Sequence, residues 1–269
     1  FAPGIGDVGI YQHTDKQGIW VGCLEDEPIG CIAGIRYNQS YGFIGLFIVN
    51  EQERGKGYGM KLWKHALEHL KNIPCIGLEA APERIKDYTL WGFEPSSETT
   101  RWEFVGNGTL SQDLIELNYN DDLILLDGFN ISSKAVQSYD AKREPTPRPH
   151  FLSDWLTNVE GNVLVLMDRN GICHGFGHIR PCFLKDGKGW RIGPLIADTP
   201  GLAEQLLARL INKHPGIVLL DAPGLNPYAN TLLSKIGFHS ISKTLRMYRG
   251  SQPSISMNDV YGLACLELG

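Results

Sequence analysis

One stretch constrains this chain more than any other: Phe47-Ile48-Val49-Asn50-Glu51-Gln52-Glu53-Arg54-Gly55-Lys56-Gly57-Tyr58-Gly59. The apolar run ending at Val49 reads as a strand, and Met60 to Leu67 reads as the start of a helix. An acidic turn and glycines at alternate positions 55, 57 and 59 lie between them. With every second side chain removed, the backbone can curl so that successive N–H groups point into one concavity. Such a nest binds anions, and the helix N-terminus behind it adds its positive dipole end. Arg54 and Lys56 add fixed charge. The stretch therefore reads as a cradle for phosphate or pyrophosphate.

Spacing narrows the choice of ligand. The Walker loop needs Gly-Lys followed by Ser or Thr, whereas Lys56 is followed by Gly57 and Tyr58. The dinucleotide fingerprint needs G-x-G-x-x-G after the first strand and an acid on the next. Gly55, Gly57 and Gly59 are spaced G-x-G-x-G instead.

The flanking order is informative. Residues 1–18 are glycine-rich and read as irregular. Ile19 to Leu24 and Ile29 to Arg36 form a hairpin around Glu25-Asp26-Glu27-Pro28, and Tyr41 to Val49 is a strand apolar enough to be buried on both faces. Gly59 to Lys71 is a helix with Met60, Trp63, Leu67 and Leu70 on one stripe, closed by Asn72 and Pro74. Cys75 to Ala80 is a strand, and Arg84 to Trp91 a short helix ended by Gly92. Phe93 and Arg101 to Phe104 supply closing strands.

Arg54-x-x-Gly57-x-Gly59 after Phe-Ile-Val, followed by Tyr88-x-x-x-Gly92-Phe93, resembles the GNAT superfamily of acetyl-CoA-dependent N-acetyltransferases. The resemblance covers about residues 15–105. The family's first strand and helices would precede Phe1, so the true N-terminus is expected to be missing. The resemblance implies that Arg54, Gly55, Lys56, Gly57, Tyr58 and Gly59 hold the CoA pyrophosphate. It implies that Phe47-Ile48-Val49 splays from Ile76–Ala80, with backbone N–H groups near Ile48 and Val49 facing the thioester. An amine attacking a thioester must lose a proton, and the leaving thiolate benefits from gaining one. Tyr88 is the expected acid toward the sulfur, and Glu79 the first candidate for the base. The chain departs from the family at Ala81, where many members carry Asn.

The second half repeats the order. Val105 to Gln112 marks a boundary, which gives expected domains 1–108 and 109–269. Strands at Val163–Asp168, Gly171–Pro181 and Trp190–Ala197 precede a helix Leu202–Lys213, a strand Ile217–Asp221, a helix Pro227–Ile236 and a strand Thr244–Tyr248. Leu220-Asp221 corresponds to Leu78-Glu79, and Gly237-Phe238 to Gly92-Phe93. The expected fold class is α/β: two tandem GNAT-like domains, each a mixed sheet flanked by helices, ending in an apolar segment Tyr261–Gly269. The second loop, Ile196-Ala-Asp198-Thr-Pro200-Gly201, has one glycine, no basic residue and a proline without an N–H. Leu233 stands where a tyrosine would be needed. A substrate-shaping or structural role is expected there. His174 and His178 on one strand would lie about 13 Å apart, too far for one metal ion.

Net charge of −5 without a basic stripe argues against nucleic acid or an acidic membrane surface as the main partner. No apolar run reaches the length of a membrane span, and no signal peptide is evident. Six scattered cysteines without a C-x-x-C pair fit reduced core thiols in a cytoplasmic protein. The function expected is transfer of an acetyl group from acetyl-CoA to a primary amine of a small molecule or peptide, by direct attack in a ternary complex and without a metal. A non-catalytic acyl-CoA sensor or scaffold is the competing reading, and transfer of a larger acyl or aminoacyl group is a third.

Overall fold

The computed structural model describes residues 2–157 and 160–268. The first half runs α1 (Asp7–Thr14), β1 (Ile19–Leu24), β2 (Glu27–Arg36), β3 (Tyr41–Val49), α2 (Tyr58–His69), β4 (Cys75–Ala80), α3 (Ile85–Thr89) and β5 (Phe93–Gly106). The second runs α4 (Gln112–Ile115), β6 (Leu123–Asp127), α5 (Ser133–Asp140), α6 (Pro149–Leu156), β7 (Asn162–Asp168), β8 (Cys173–Leu184) and β9 (Gly187–Ala197). It continues with α7 (Pro200–Ile211), β10 (Gly216–Pro223), α8 (Ala229–Ile236), β11 (His239–Gly250) and β12 (Val260–Gly262).

The strands read at Ile19–Leu24, Tyr41–Val49 and Cys75–Ala80 have those bounds. Two local readings need correction. The irregular N-terminal region contains α1, because Ile10 and Tyr11 bury against the core and Asp7 finds a partner in Arg180 of β8. No local periodicity could show that partner. The closing strands around Phe93 and Arg101 are one strand of 14 residues, long enough to cross from one half into the other.

The strands form one 12-stranded mixed sheet in the order β1-β2-β3-β4-β11-β5-β10-β9-β8-β7-β6, with β12 paired to β9. One long strand of each half, β5 and β11, lies in the other half's territory. β11 pairs with β4 from Leu245↔Ala80 to Gly250↔Cys75, and β5 pairs with β10 from Gly106↔Gly216 to Thr99↔Pro223. The exchanged strands pair with each other, with Arg246 opposite Ser97. Two units of the expected class are thus sewn into one sheet by exchange, an arrangement that satisfies strand edges which separate sheets would leave open.

On one face of the first unit, Trp63, Ala66, Leu67 and Leu70 of α2 and its C-terminal turn pack on Ile32, Ile44, Ile76 and Leu78. The opposite face joins both halves: Ala33 and Leu46 share a core with Trp155, Phe176, Leu263 and Cys265. Ion pairs are buried there. Arg180 donates to Asp7 from Nε (2.8 Å) and Nη2 (2.9 Å), both side chains being wholly inaccessible. Burial alone would raise the Asp7 pKa, but the Arg180 charge and its hydrogen bonds, with Arg191 nearby, bring it below the usual 3.8. A depressed carboxylate stabilises the fold above its unfolded value of about 3.9 and loses that contribution as pH falls through the folded value. Asp7→Ala leaves Arg180 buried without its carboxylate, and a loss of about 3–5 kcal/mol is expected in urea unfolding at neutral pH. The deficit should shrink as pH falls below about 4, where the unfolded chain begins to take up this proton, and vanish once pH passes the lower folded value.

Candidate active site

β3 and β4 pair in parallel only from Tyr41↔Cys75 to Ile44↔Leu78. Beyond that, β3 runs on to Val49 and β4 to Ala80 without pairing, so the two strands fork. The fork begins where Leu46 takes a left-handed conformation (φ 48°), uncommon for a branched side chain and the mark of a bulge. The Asn50 N–H donates to Ile29 O on β2 (2.8 Å). By the two-residue alternation of a strand, the Ile48 amide also faces β2, and those of Phe47 and Val49 face the fork. The sequence reading placed the donors near Ile48 and Val49, within Phe47–Val49. Phe47 packs its ring on Trp63 of α2 (5.7 Å between centroids), while Ile48 is exposed.

The glycine loop follows at the open end of the fork. Gly55 and Gly57 have φ of 77° and 88°, and a Cβ built on either would meet nothing within 4 Å. Their requirement for glycine is thus conformational, and the loop keeps an open concavity. Gly59 differs: a Cβ there would press on Val49 at 3.3 Å and Phe47 at 3.4 Å, so its absence lets α2 approach β3. Among the described residues, the N–H groups of Gly55, Lys56, Gly57, Tyr58 and Gly59 have no backbone acceptor. They are the unsatisfied donors of a nest and a helix N-terminus, which is what a pyrophosphate requires. Arg54 is exposed and donates from Nε to Val49 O (3.0 Å); Lys56 is exposed and pairs with Glu53 (3.1 Å).

Tyr88, on α3, lies against Trp63 (5.2 Å) and Phe93 (6.3 Å). Burial raises its pKa above the usual 10, and no protein group among the described residues hydrogen-bonds its hydroxyl. It is a protonated phenol at neutral pH with its donor uncommitted.

Glu79, at the forked end of β4, is placed differently from the sequence reading. Its carboxylate accepts from Arg246 Nε (2.6 Å), Thr99 Oγ1 (3.0 Å) and Thr244 Oγ1 (2.8 Å), and its side chain is only 3% exposed. Burial would lower the Arg246 pKa, but Glu79 holds it well above the usual value. Both carboxylate oxygens are already engaged, by a guanidinium and two hydroxyls, and the side chain is buried, which leaves it little room to meet an amine. The geometry therefore argues against Glu79 as the base and for an anchoring role. Two of its partners, Arg246 and Thr244, come from β11 of the second half, more than 160 residues away. Sequence reasoning missed them because only strand exchange brings them here.

The second unit has the same fork in a different state. β9 and β10 pair from Val218↔Trp190 to Leu220↔Ile192, then part. β12 occupies the gap, pairing with β9 through Val260↔Ile196 and Gly262↔Leu195. At the loop position, Asp198 accepts from Arg143 Nη2 (2.7 Å) and Tyr139 (2.7 Å) and contacts His174 Nδ1 (2.8 Å). A fixed carboxylate thus sits where the first unit has its open nest. His178 is fully buried, and no cluster of metal-ligating side chains occurs among the described residues.

Comparison with known proteins bears on the family and the fold. The family described as "Acetyltransferase (GNAT) family" matches residues 5–93, and "Acetyltransferase (GNAT) domain" matches residues 136–262. The chain is similar to the holothin acyltransferase of Pseudoalteromonas sp. (strain SANK 73390), with 30% identity over 268 residues, 99% of this chain and 86% of that protein. Among solved structures, a putative acetyltransferase from Pyrococcus horikoshii superposes with a TM-score of 0.79 at 22% identity, over 98% of this chain and 84% of the other. A tandem GNAT protein from the clavulanic acid biosynthesis pathway gives 0.62 at 12% identity, over 94% and 89%. The likeness of both halves, together with a relative matched along nearly its whole length, places this chain in the GNAT superfamily, as an acyltransferase built from two GNAT units.

Proposed function

We propose that the first unit transfers an acetyl group from acetyl-CoA to a primary amine, and that holothin is the first acceptor to test. The reading rests mainly on the contrast between the two forks. The first has an unfilled gap, an open glycine nest and a tyrosine; the second has none of these. Acetyl-CoA, when bound, supplies an activated thioester. The loop Arg54–Gly59 would hold its pyrophosphate through backbone N–H groups, with Arg54 and Lys56 adding charge at the rim. The amides of Phe47 and Val49 would offer donors to the thioester carbonyl oxygen. Tyr88 would give its proton to the departing sulfur, a transfer between groups of comparable pKa. Glu79 would hold β4 and β11 in register through Arg246, with the base elsewhere. A domain boundary near residue 108 fits this division of labour, although β5 and β11 each pair with a strand of the other unit.

The test is release of free CoA thiol from acetyl-CoA with holothin and a panel of simple primary amines. Amine-dependent release at rates of about 1 s⁻¹ or more is expected with the true acceptor, within the ordinary range of enzymes. Calorimetry that finds acetyl-CoA bound, with no amine stimulating release, would instead support a sensor.

A further inference from the structure

A cavity adjoins the nest on the side of α2 away from β4. It holds about 420 Å³ and lies between α2 and the β1–β2 hairpin. Small-molecule sites begin at about 300 Å³. Tyr58, Lys61, Leu62 and His65 wall it from α2, a stripe set by three- and four-residue spacing. Val49 closes the end next to the glycine loop. Trp20, whose ring meets those of His65 (4.8 Å) and His69 (5.2 Å), closes the other. Tyr58 and His65 stand about 10 Å apart along the helix axis.

A pair of glycines keeps this space open. Gly22 of β1 stands opposite Gly30 of β2. Gly30 has a backbone reason to be glycine, because a Cβ there would lie 2.6 Å from Ile48 O. Gly22 has no such reason. Its Cβ would meet the Leu62 side chain at 3.4 Å, an ordinary contact, with no closer atom, and its φ is not left-handed. A strand is weakened by glycine at such a position. What the missing side chain provides is room between the hairpin and α2.

The chemistry of the lining is aromatic and apolar, with Lys61 as a cation at its edge. Lys61 is exposed, and its Nζ lies 5.8 Å from the centre of the Tyr58 ring. Among the described residues it pairs with no carboxylate. It is one turn into α2, about 4.5 Å along the axis from Tyr58. Aromatic walls suit a heterocyclic base, and an uncommitted ammonium suits a phosphate. Acetyl-CoA carries both beyond its pyrophosphate, as an adenine ring and a 3′-phosphate.

We propose that this groove holds the adenosine 3′-phosphate end of acetyl-CoA, with Lys61 on the phosphate and Trp20 and Tyr58 as walls for the ring. The inference rests on the acetyl-transfer reading above. It makes α2 a divider: the pyrophosphate lies at its N-terminus, the pantetheine arm on the β4 side and the nucleotide on the β1 side. It also gives the donor a specificity, since an acyl group carried on phosphopantetheine alone leaves this groove empty.

Calorimetry with acetyl-CoA, its 3′-dephospho form, acetyl-phosphopantetheine and adenosine 3′,5′-bisphosphate tests it. Lys61→Ala is expected to weaken acetyl-CoA about tenfold, the scale of a charge-assisted hydrogen bond, and to leave the dephospho form at its wild-type affinity. Gly22→Leu fills the groove and is expected to weaken both about tenfold or more, the scale of a lost base contact, with acetyl-phosphopantetheine unchanged. The bisphosphate is expected to compete with acetyl-CoA for the wild-type protein. Lys61 is exposed, so its variant should fold, and it decides alone if Gly22→Leu does not. Wild-type acetyl-CoA affinity in the folded variants overturns the proposal, and so does an equal loss for acetyl-phosphopantetheine. A bisphosphate that binds together with acetyl-CoA makes the groove a separate nucleotide site and takes the cofactor out of it. A wild-type protein that binds none of the acetylated ligands overturns the cofactor reading, and this subsite with it. One that binds acetyl-CoA through Lys61 and never releases thiol overturns the transfer reading alone.

Discussion

Tyr88→Phe is expected to lower kcat by about 100- to 1,000-fold while acetyl-CoA affinity stays at the wild-type value, the usual scale for loss of a positioned general acid. The substitution keeps the aromatic ring, so the packing on Trp63 and Phe93 is preserved and folding should be unaffected. Only the hydroxyl is lost, and it has no protein partner among the described residues whose loss could cost stability. Burial holds the Tyr88 pKa above 10, so the wild-type enzyme carries this proton throughout the neutral range. Any fall in rate from its deprotonation should therefore come only above about pH 10. An interaction made only as the sulfur departs lowers kcat and kcat/KM together. Steady-state kinetics with calorimetry checks both numbers, and full turnover in the variant would rule Tyr88 out as the acid.

Gly57→Glu is expected to abolish acetyl-CoA binding by the whole molecule, taking calorimetric stoichiometry from one site per chain to none. Gly57 has φ 88° and caps α2, and a side chain there strains the backbone by about 1–2 kcal/mol. Space is not the obstacle, because a Cβ would meet nothing within 4 Å, so the protein should still fold. The carboxylate then competes for the N–H groups of the nest and repels the pyrophosphate. Together these effects should weaken binding more than about 100-fold. Gly57→Ala separates the terms: it carries the backbone strain without the charge and should fall between the two. Binding retained at wild-type affinity in Gly57→Glu would redirect attention to the second fork, despite the strand that occupies it.

Much of the candidate site was legible before the structure. β1, β3 and β4 were read with their bounds because each is an apolar run closed by turn residues. The loop was legible because an anion nest is built from consecutive residues. Tyr88 was legible through its offset from Gly92, which ends its helix with φ 81°. Glu79 was located, but its partners were not. A carboxylate at a strand end looks solvated in sequence, and nothing near it in the chain announces Arg246 opposite it on β11.

The sequence alone determined what is local: a strand, an anion nest and a helix at residues 41–69, a tyrosine four residues before Gly92, and a second copy whose loop has a single glycine. These features depend on backbone conformations and spacings within a few turns of chain. The tertiary structure decided which strands lie side by side. It exchanged β5 with β11, gave Glu79 its guanidinium, and laid residues 260–268 through one fork and across the root of the other. A strand's residues record only how buried its two faces are. The partner on each edge is settled by hydrogen bonds to backbone, which is alike at every position, and so pairing across more than a hundred residues leaves no local mark.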